Sequence, residues 1–535
     1  MNEFVALLIL PLAMAILSLA IKDVAIVRKL SALIIWFQLP VVMSILSNVL
    51  TGHASRLEFA SGLAIETLGA YFIVLTTFVV CCCLTHADYF FQAAQNKGEA
   101  YQAVHVRIFY ACSHIFLMAM TTVFTCDNLG YLWIAIEATT LSSAPLVYFE
   151  RSKNALEATW KYLIVCSVGI AFALLGTVFI FAASQRGTLE VATLNVAELI
   201  SHASQLNFPL LRLGFIFCLL GYGTKAGIFP LHTWLPDAHS EAPAPASAML
   251  SGSLLNCALF GIYKVASILL AAAPHSRVFE LVAILGTITV LAASLLIVRQ
   301  SNIKRLWAYS SIENVGLMLF AIGLGSGPLF FLQALNHSLA KVALFLMSGN
   351  IVQATGTKKL SKLHGLMQNS PIWAAALALA AIAVSGAPPF GAFVSEISLM
   401  TLSLSDHRIA LALIITVALA VSFLAIMSHV GKIIYGTAKP DFKSFKPKRA
   451  ALIPMMLVLL SLLLGLTVDT STWVPGCQKN HRISLVDQAL DNLRGQKPCQ
   501  VKQKSNVALA DLPHLCLMTP LAKMMAKRDW GILQV

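Results

Sequence analysis

Charge is what this sequence has least of: Asp, Glu, Lys and Arg make up 11% of its 535 residues, against about a quarter in an ordinary soluble domain. With 58% hydrophobic residues and a mean hydropathy of +0.79, the chain cannot clothe a soluble surface. A soluble enzyme, a disordered chain and a secreted disulfide scaffold are thereby excluded. Redox motifs are missing as well. The 11 cysteines contain no C-x-x-C pair, so iron–sulfur ligation is not expected. The glycine clusters Gly221-Tyr222-Gly223 and Gly323-Leu324-Gly325-Ser326-Gly327 fit neither the G-x-G-x-x-G nor the P-loop pattern, and neither a nucleotide nor a nucleic-acid site is expected. His114 and His429 stand alone in apolar stretches and read as packing donors rather than haem ligands. The start, Met1-Asn2-Glu3-Phe4, lacks a basic n-region, so it reads as a retained first helix and not as a cleaved signal peptide.

What is present is apolar length. Stretches long enough to span a bilayer recur about fourteen times, at roughly 3–21, 30–50, 63–84, 107–125, 129–149, 161–184, 209–236, 244–270, 278–298, 306–325, 328–353, 371–403, 408–431 and 450–468. The expected fold is an all-α polytopic membrane protein. Of the 37 basic residues, 20 fall in alternate loops beginning with the one after the first helix, among them Arg299, Lys304, Arg305, Lys358, Lys359, Lys362, Lys443, Lys446, Lys448 and Arg449. Five fall in the other loops: Arg56, Arg186, Arg212, Arg277 and Arg408. By the positive-inside rule the N-terminus is expected outside a cytoplasmic (inner) membrane. The tail, 469–535, carries 9 more basic residues and no spanning run. Its end, 505–535, reads either as an amphipathic surface segment or as a disordered one, and Cys477 and Cys499 either as a disulfide or as free thiols.

Three lysines remain inside apolar segments: Lys225, Lys264 and Lys341. A charge at a helix centre costs about 2.5–3.5 kcal/mol on insertion scales, so each such group demands a partner or a function. Glu137 lies about eight residues into its segment, roughly 12 Å from one end, too deep for a short side chain to reach the surface. Lys225 precedes Pro230 in Lys-Ala-Gly-Ile-Phe-Pro; the proline deprives the carbonyl of Ala226 of its helical partner, so a helix break is expected beside the lysine. Pro388 and Pro389 do the same for Val384 and Ser385, with Glu396 about two turns on. His337 and Lys341 are four apart and share one helix face, with Lys341 beyond easy snorkelling distance of either end. The alternative is that these groups are structural ion pairs. Lys264, near a segment end, reads equally as a snorkelling residue; Glu66 is close to the start of its segment, and Glu313 lies about a third of the way into its own. His232, Asp237, His239 and Glu241 resemble metal-ligand spacing but read better as lining the mouth of the broken helix, and no metal is expected.

At these residues the chain resembles a known family. GYGTKAGIFPLHTWLPDAHSEAPAP (221–245) is similar to the helix 7 signature of the antiporter-like proton-translocating subunits of respiratory complex I, multisubunit Na+/H+ antiporters and group 4 hydrogenases. IKRLWAYSSIEN (303–314), LNHSLAKVALF (335–345) and GAPPFGAFVSE (386–396) support it, and the first and last of these look most like the branch of hydrogenase-4 component F. The resemblance implies fourteen helices in which helices 4–8 and 9–13 form inverted repeats, each with one broken helix. It divides the chain into N-terminal helices over 1–104, the repeats over 105–270 and 271–435, a last helix over 436–468 and the basic tail over 469–535. It also implies that Glu137 pairs with Lys225, that His337 and Lys341 relay protons, and that Glu396 exchanges them at the far end, with Lys264, Glu313, His232 and Asp237 as accessory candidates. Two departures stand out. The stretch Ser251–Leu255 has no ionisable group where many relatives carry Lys or His, and Asn314 stands where close relatives often have His.

The reading is a proton-translocating membrane subunit of a respiratory oxidoreductase complex, NADH-quinone oxidoreductase-like or membrane-bound hydrogenase-like, and not catalytic alone. It is expected to bind no cofactor itself and to work with other membrane subunits and, through them, a peripheral electron-transfer arm, in a lipid bilayer, with H+ as the ion and Na+ as the alternative. Competing readings are a monovalent cation/proton antiporter subunit, an ion-driven coupling subunit for a soluble partner, and a stand-alone solute transporter.

Overall fold

A computed structural model of the chain describes residues 2–51, 56–96, 101–187, 192–437 and 448–468. The expectations for the tail, including Cys477, Cys499 and 505–535, lie outside the described residues, as do Lys443 and Lys446.

Apolar composition makes helices here because a bilayer offers the backbone no hydrogen-bond partner, so each span must satisfy its own amides. The chain opens with α1 (Asn2–Ala20) and α2 (Val24–Thr51), then a hairpin of β1 (Arg56–Ala60) and β2 (Leu63–Glu66), then α3 (Thr67–Asn96). There follow α4 (Ala103–Thr125), α5 (Leu129–Val147), α6 (Lys153–Gln185), the short α7 (Val196–Ser201), α8 (Phe208–Ala226), α9 (Trp234–Glu241), α10 (Ala244–Met249) and α11 (Leu255–Ala272). The remainder is α12 (Val278–Val298), α13 (Ile303–Gly323), α14 (Gly327–Thr355), the short α15 (Leu366–Asn369), α16 (Pro371–Val384), α17 (Gly391–Ser405), α18 (Ile409–Tyr435) and α19 (Leu452–Thr467). Ten described stretches are long and apolar enough to cross a membrane, and α16, α17 and α19 are shorter apolar helices. To the all-α bundle the hairpin adds one antiparallel pairing, Arg56 opposite Glu66 and Leu57 opposite Ile65.

Polar caps set several helix starts. Asn128, Ser152, Asn207, Asn302 and Ser326 each accept a backbone N–H in the first turn of α5, α6, α8, α13 and α14, a contribution of about 1 kcal/mol apiece. In lipid, where apolar contact between helices gains nothing over contact with acyl chains, close packing must come from small residues. Gly169 and Gly176 of α6 face Thr224 and Cys218 of α8, and a Cβ on Gly221 would stand 2.4 Å from the amide nitrogen of Ala173. Between α12 and α13, a Cβ on Gly286 would stand 2.7 Å from the nitrogen of Phe320. The faces left over carry exposed apolar side chains in helical register, for example Trp160, Ile164, Val168 and Phe172 on α6 and Leu413 and Val417 on α18.

Both expected breaks are present, and they share a register. The apolar segment 209–236 divides where α8 ends at Ala226, and 371–403 divides where α16 ends at Val384. In each, a glycine with positive φ, Gly227 or Gly386, stands three residues before a cis proline, Pro230 or Pro389. An acidic residue, Asp237 or Glu396, stands seven residues after it. A third irregularity went unforeseen: a π-helical turn, Leu250–Leu254, joins α10 to α11.

Candidate functional site

Glu137 is half-buried on α5, and Lys225, the penultimate residue of α8, is fully buried. The expected direct pair between them is not formed. Thr140, one turn from Glu137, stands between: its Oγ1 accepts a hydrogen bond from Lys225 Nζ and donates to Glu137 Oε2 at 3.2 Å. Lys225 also donates to Tyr162 Oη at 3.0 Å and lies 5.1 Å from the centre of that ring. Tyr162 is held by Ser143, 2.7 Å away, and by Trp234, whose indole donates to the carbonyl of Thr224 at 2.9 Å. The other Glu137 oxygen accepts from Ser167 Oγ at 3.3 Å. Among the described residues Lys225 has no carboxylate within ion-pair distance. Among the described residues its Nζ is hydrogen-bonded only by hydroxyls, with the face of the Tyr162 ring beside it.

The central group is organised by the π turn. In such a turn the i→i+4 ladder is interrupted, which leaves carbonyls to outside donors. His337 Nε2 reaches the carbonyl of Ser251 at 3.2 Å, and Ser338 Oγ donates to that of Gly252 at 2.7 Å. Ser251 Oγ lies 2.8 Å from Ser311 Oγ, Ser311 donates to the carbonyl of Trp307 at 2.9 Å, and Lys341 Nζ donates to that same carbonyl at 3.1 Å. His337 and Lys341, neighbours on α14, are therefore joined through α10–α11 and α13 by the stretch that carries no ionisable group. Among the described residues no side-chain hydrogen bond joins Lys225 to His337; Ser253 Oγ, Asn256 Oδ1 and His337 Nδ1 are buried and unpartnered.

Beyond Lys341 lies Glu313, 2% exposed, which accepts from Ser294 Oγ at 2.9 Å and is within electrostatic reach of both Lys341 and Glu396. Beside it runs a ladder of neutral groups. Asn314 accepts from Gln333 at 2.8 Å, Gln333 accepts from Ser395 at 2.6 Å, and Asn336 donates to Ser395 at 3.3 Å and to the carbonyl of Gly391 at 2.8 Å. Glu396, next to Ser395, is buried with its carboxylate against Gly386, where a Cβ would collide with Oε2 at 1.8 Å. Glycine is needed twice over there, for positive φ and for room.

The accessory candidates separate. Lys264 is not on this line: it is buried at 2.7 Å from Glu66 and 3.7 Å from Asp127, and Arg56 of the hairpin binds Asp127 at 2.7 Å. Burial pushes the Asp127 carboxyl up against the pull of Lys264. Burial would raise Glu66 too, but Lys264 and Arg56 outweigh it and hold that carboxyl below its usual 4.5. Asp237 lies at the mouth, 2.8 Å from Arg305 and 3.3 Å from Lys161, and Glu241 binds Lys358 at 3.1 Å. His232 stacks on Phe229 beside the break. Among the described residues no three His, Cys, Asp or Glu side chains converge as a metal site. His114 is occupied by Ser31 at 2.7 Å.

Residues 126–422 match the transmembrane family of NADH:quinone oxidoreductase and Mrp antiporter subunits. The hydrogenase-4 component F homolog of Methylacidiphilum infernorum (isolate V4) is 37% identical over 397 residues, 73% of this chain and 82% of that one. A Na(+)/H(+) antiporter subunit of Bacillus subtilis (strain 168) is 26% identical over 92% of this chain and 97% of its own. In fold, a chain of an archaeal respiratory membrane complex, the membrane-bound sulfane sulfur reductase, superposes with a TM-score of 0.78 at 22% identity, covering 91% of this chain and 99% of that one.

Proposed function

We infer that this chain, which belongs to the NADH:quinone oxidoreductase/Mrp antiporter transmembrane family, is a proton-translocating membrane subunit of a multi-subunit respiratory complex. It works beside other membrane subunits and a peripheral arm, and the cofactors of electron transfer sit on those partners. The hydrogenase-4 relative favours a hydrogenase-like complex; the end-to-end similarity to an antiporter subunit keeps a cation/proton antiporter complex as the second reading. The chain lies in the cytoplasmic membrane with its N-terminus outside, as the asymmetry of loop charge supports. Residues 105–270 and 271–435 act as inverted repeats, a division supported by the common register of glycine, proline and acid at the two breaks.

One observation carries the mechanism: Lys225, fully buried, has hydroxyls and no carboxylate on its ammonium, and shares Thr140 with Glu137. An amine held so can give up its proton without breaking an ion pair, and a charge brought near Glu137 alters that balance. Two unit charges about 10 Å apart at an effective dielectric near 20 interact by about 1.7 kcal/mol, a little more than one pKa unit. A charge change at Glu137 is thus passed on in steps, to Lys225, to His337 and Lys341, through Glu313 and to Glu396, each group loading or releasing a proton as its neighbour changes. Glu137→Gln or Lys225→Ala should abolish coupled proton transport in proteoliposomes while the complex still assembles; normal pumping by either variant contradicts the scheme.

A further inference from the structure

The N-terminal helices take no part in the line from Glu137 to Glu396, yet they hold a guanidinium whose hydrogen-bond donors are unspent. Arg28, near the start of α2, has a side chain 14% exposed, and its Nε lies 2.8 Å from Asp88 Oδ1 of α3. The pair lacks hydrogen-bond geometry: Nε and Oδ1 are both buried without a hydrogen-bond partner. Among the described residues no acceptor takes any of the five N–H groups that a guanidinium carries. Asp88 is held from its other oxygen by Gln92 at 2.8 Å. Arg107 of α4 shows the contrast, for its guanidinium donates to the carbonyls of Ser18 and Leu19 at the end of α1. Leaving a mostly buried charged donor without an acceptor is costly, and such a group calls for a ligand or water.

Arg28 borders a cavity of about 200 Å³ at the ends of three helices, walled also by Val24 of α2, Phe91 of α3, and Tyr101, Ala103 and Val106 at the start of α4. Two further sets of donors are unspent there. Gln102, at the N-cap of α4, gives no side-chain cap, and the first backbone bonds of that helix come from His105 and Val106; the amides of Ala103 and Val104 are left for an outside acceptor. Tyr110, one turn along α4 from Val106, is 0% exposed with its Oη unpartnered, in electrostatic reach of Arg28 and Asp88. Asp88 is the acid beside the guanidinium, while Glu150 is turned to the Tyr101 hydroxyl at 3.0 Å. Lys22 and Lys29 stand exposed at the same end of α2. The loops after α1 and after α3 belong to the Lys- and Arg-rich set, so the cavity lies at the basic face.

We propose that this cavity at the ends of α2, α3 and α4 is a phosphate site, filled by the head group of an anionic phospholipid or by a free phosphate at the basic face. A guanidinium fork, two unspent amides at a helix N-terminus and a buried hydroxyl are all donors, and a phosphate group is all acceptors. Asp88 occupies only the Nε edge of Arg28 and leaves the Nη donors for a bidentate contact. The apolar wall of Val24, Phe91, Ala103 and Val106 suits the glycerol and first acyl carbons of a lipid, and basic pockets between spans on the cytoplasmic side recur as head-group sites. Bound there, the phosphate ties α2 to α4.

The test uses the assembled complex, stripped of lipid in detergent and kept in phosphate-free buffer. Native mass spectrometry counts phosphatidylglycerol retained by each complex, with phosphatidylcholine of the same chains as the comparison, and equilibrium dialysis follows radiolabelled inorganic phosphate. Arg28→Gln is expected to weaken whichever probe the parent binds by at least about tenfold. Arg28→Lys, which keeps the charge without the fork, should weaken it less. Phosphatidylglycerol that inorganic phosphate does not displace identifies the lipid as the source, and displacement at equal concentration identifies free phosphate; either result supports the site. Binding of neither probe by the parent, or equal binding by the parent and Arg28→Gln, overturns it. If Arg28→Gln does not assemble, an experimental structure of the parent complex with each probe added decides. Phosphate within hydrogen-bond reach of Arg28 supports the site, and a cavity holding only water or the chain's own side chains contradicts it. The readout is binding, so the result is independent of the transport reading.

Discussion

A threonine hydroxyl is the smallest part of this molecule with a large predicted effect. Thr140 Oγ1 is both the acceptor for Lys225 and the donor to Glu137, so its removal separates two charges that have no direct contact. Thr140→Val keeps the shape and strips the hydroxyl, leaving a buried ammonium one partner short; hydrogen bonds to charged groups are worth about 1.5–3 kcal/mol, which is at least roughly a tenfold loss of coupled transport. Thr140→Ser should behave as the parent. Initial rates of proton uptake by the two variants check this, and equal rates would show that Thr140 only packs. Lys225, Lys341 and Glu137 were legible in the sequence because charge in an apolar run has few other meanings. Thr140, Tyr162, Ser251 and Ser311 were not, since hydroxyls in such helices usually bond their own preceding turn, as Ser113 does to Phe109 and Thr177 to Ala173.

At the level of elements, breaks at proline could be foreseen and irregularities made by ordinary residues could not. The carbonyls freed by Pro230 and Pro389 follow from proline chemistry. Nothing in Leu-Ser-Gly-Ser-Leu marks a π turn, and the hairpin strands are too short and mixed for their alternation to stand out. The hairpin also explains why Lys264 is where it is: Glu66 at the end of β2 binds it. Glu66→Gln would leave a lysine 3% exposed with Asp127 as its one remaining carboxylate among the described residues and should lower the stability of the assembled chain. Because a third of Glu66 is exposed, the loss is expected near about 1 kcal/mol rather than the several of a fully buried pair. The pH dependence follows from the sign of the shift. The Glu66 carboxyl is held below 4.5, so its contribution is complete above that value and disappears as pH falls through the depressed one. Melting of the purified complex across the acid range should show a smaller acid loss for Glu66→Gln than for the parent; identical acid limbs would mean that the hairpin carboxylate is not the latch. Between α6 and α8, Gly221→Val would drive a side chain into Ala173, and overpacking of this kind costs about 1–3 kcal/mol. Reduced yield of assembled complex, with the residual transport rate per complex intact, is the expected result.

For the whole molecule, the scarcity of charge and its position suffice to give a membrane bundle with two broken helices. They do not give the connections between the charges. Beside the charges stand neutral groups, the hydroxyls around Lys225, the carbonyls of the π turn and the amides of Asn314, Gln333 and Asn336, each common in any helix and informative only once helices are packed. Asn314, read as a departure where relatives carry histidine, is hydrogen-bonded to Gln333 beside Glu313, and Glu313, read as accessory, is in electrostatic reach of both Lys341 and Glu396. The central claim, that protons cross by way of buried amines and carboxyls of this chain, is tested most directly by the number of protons moved per electron in proteoliposomes carrying the assembled complex with Lys341→Met. Electron transfer should continue with a lower ratio than the parent complex; an unchanged ratio would contradict the account.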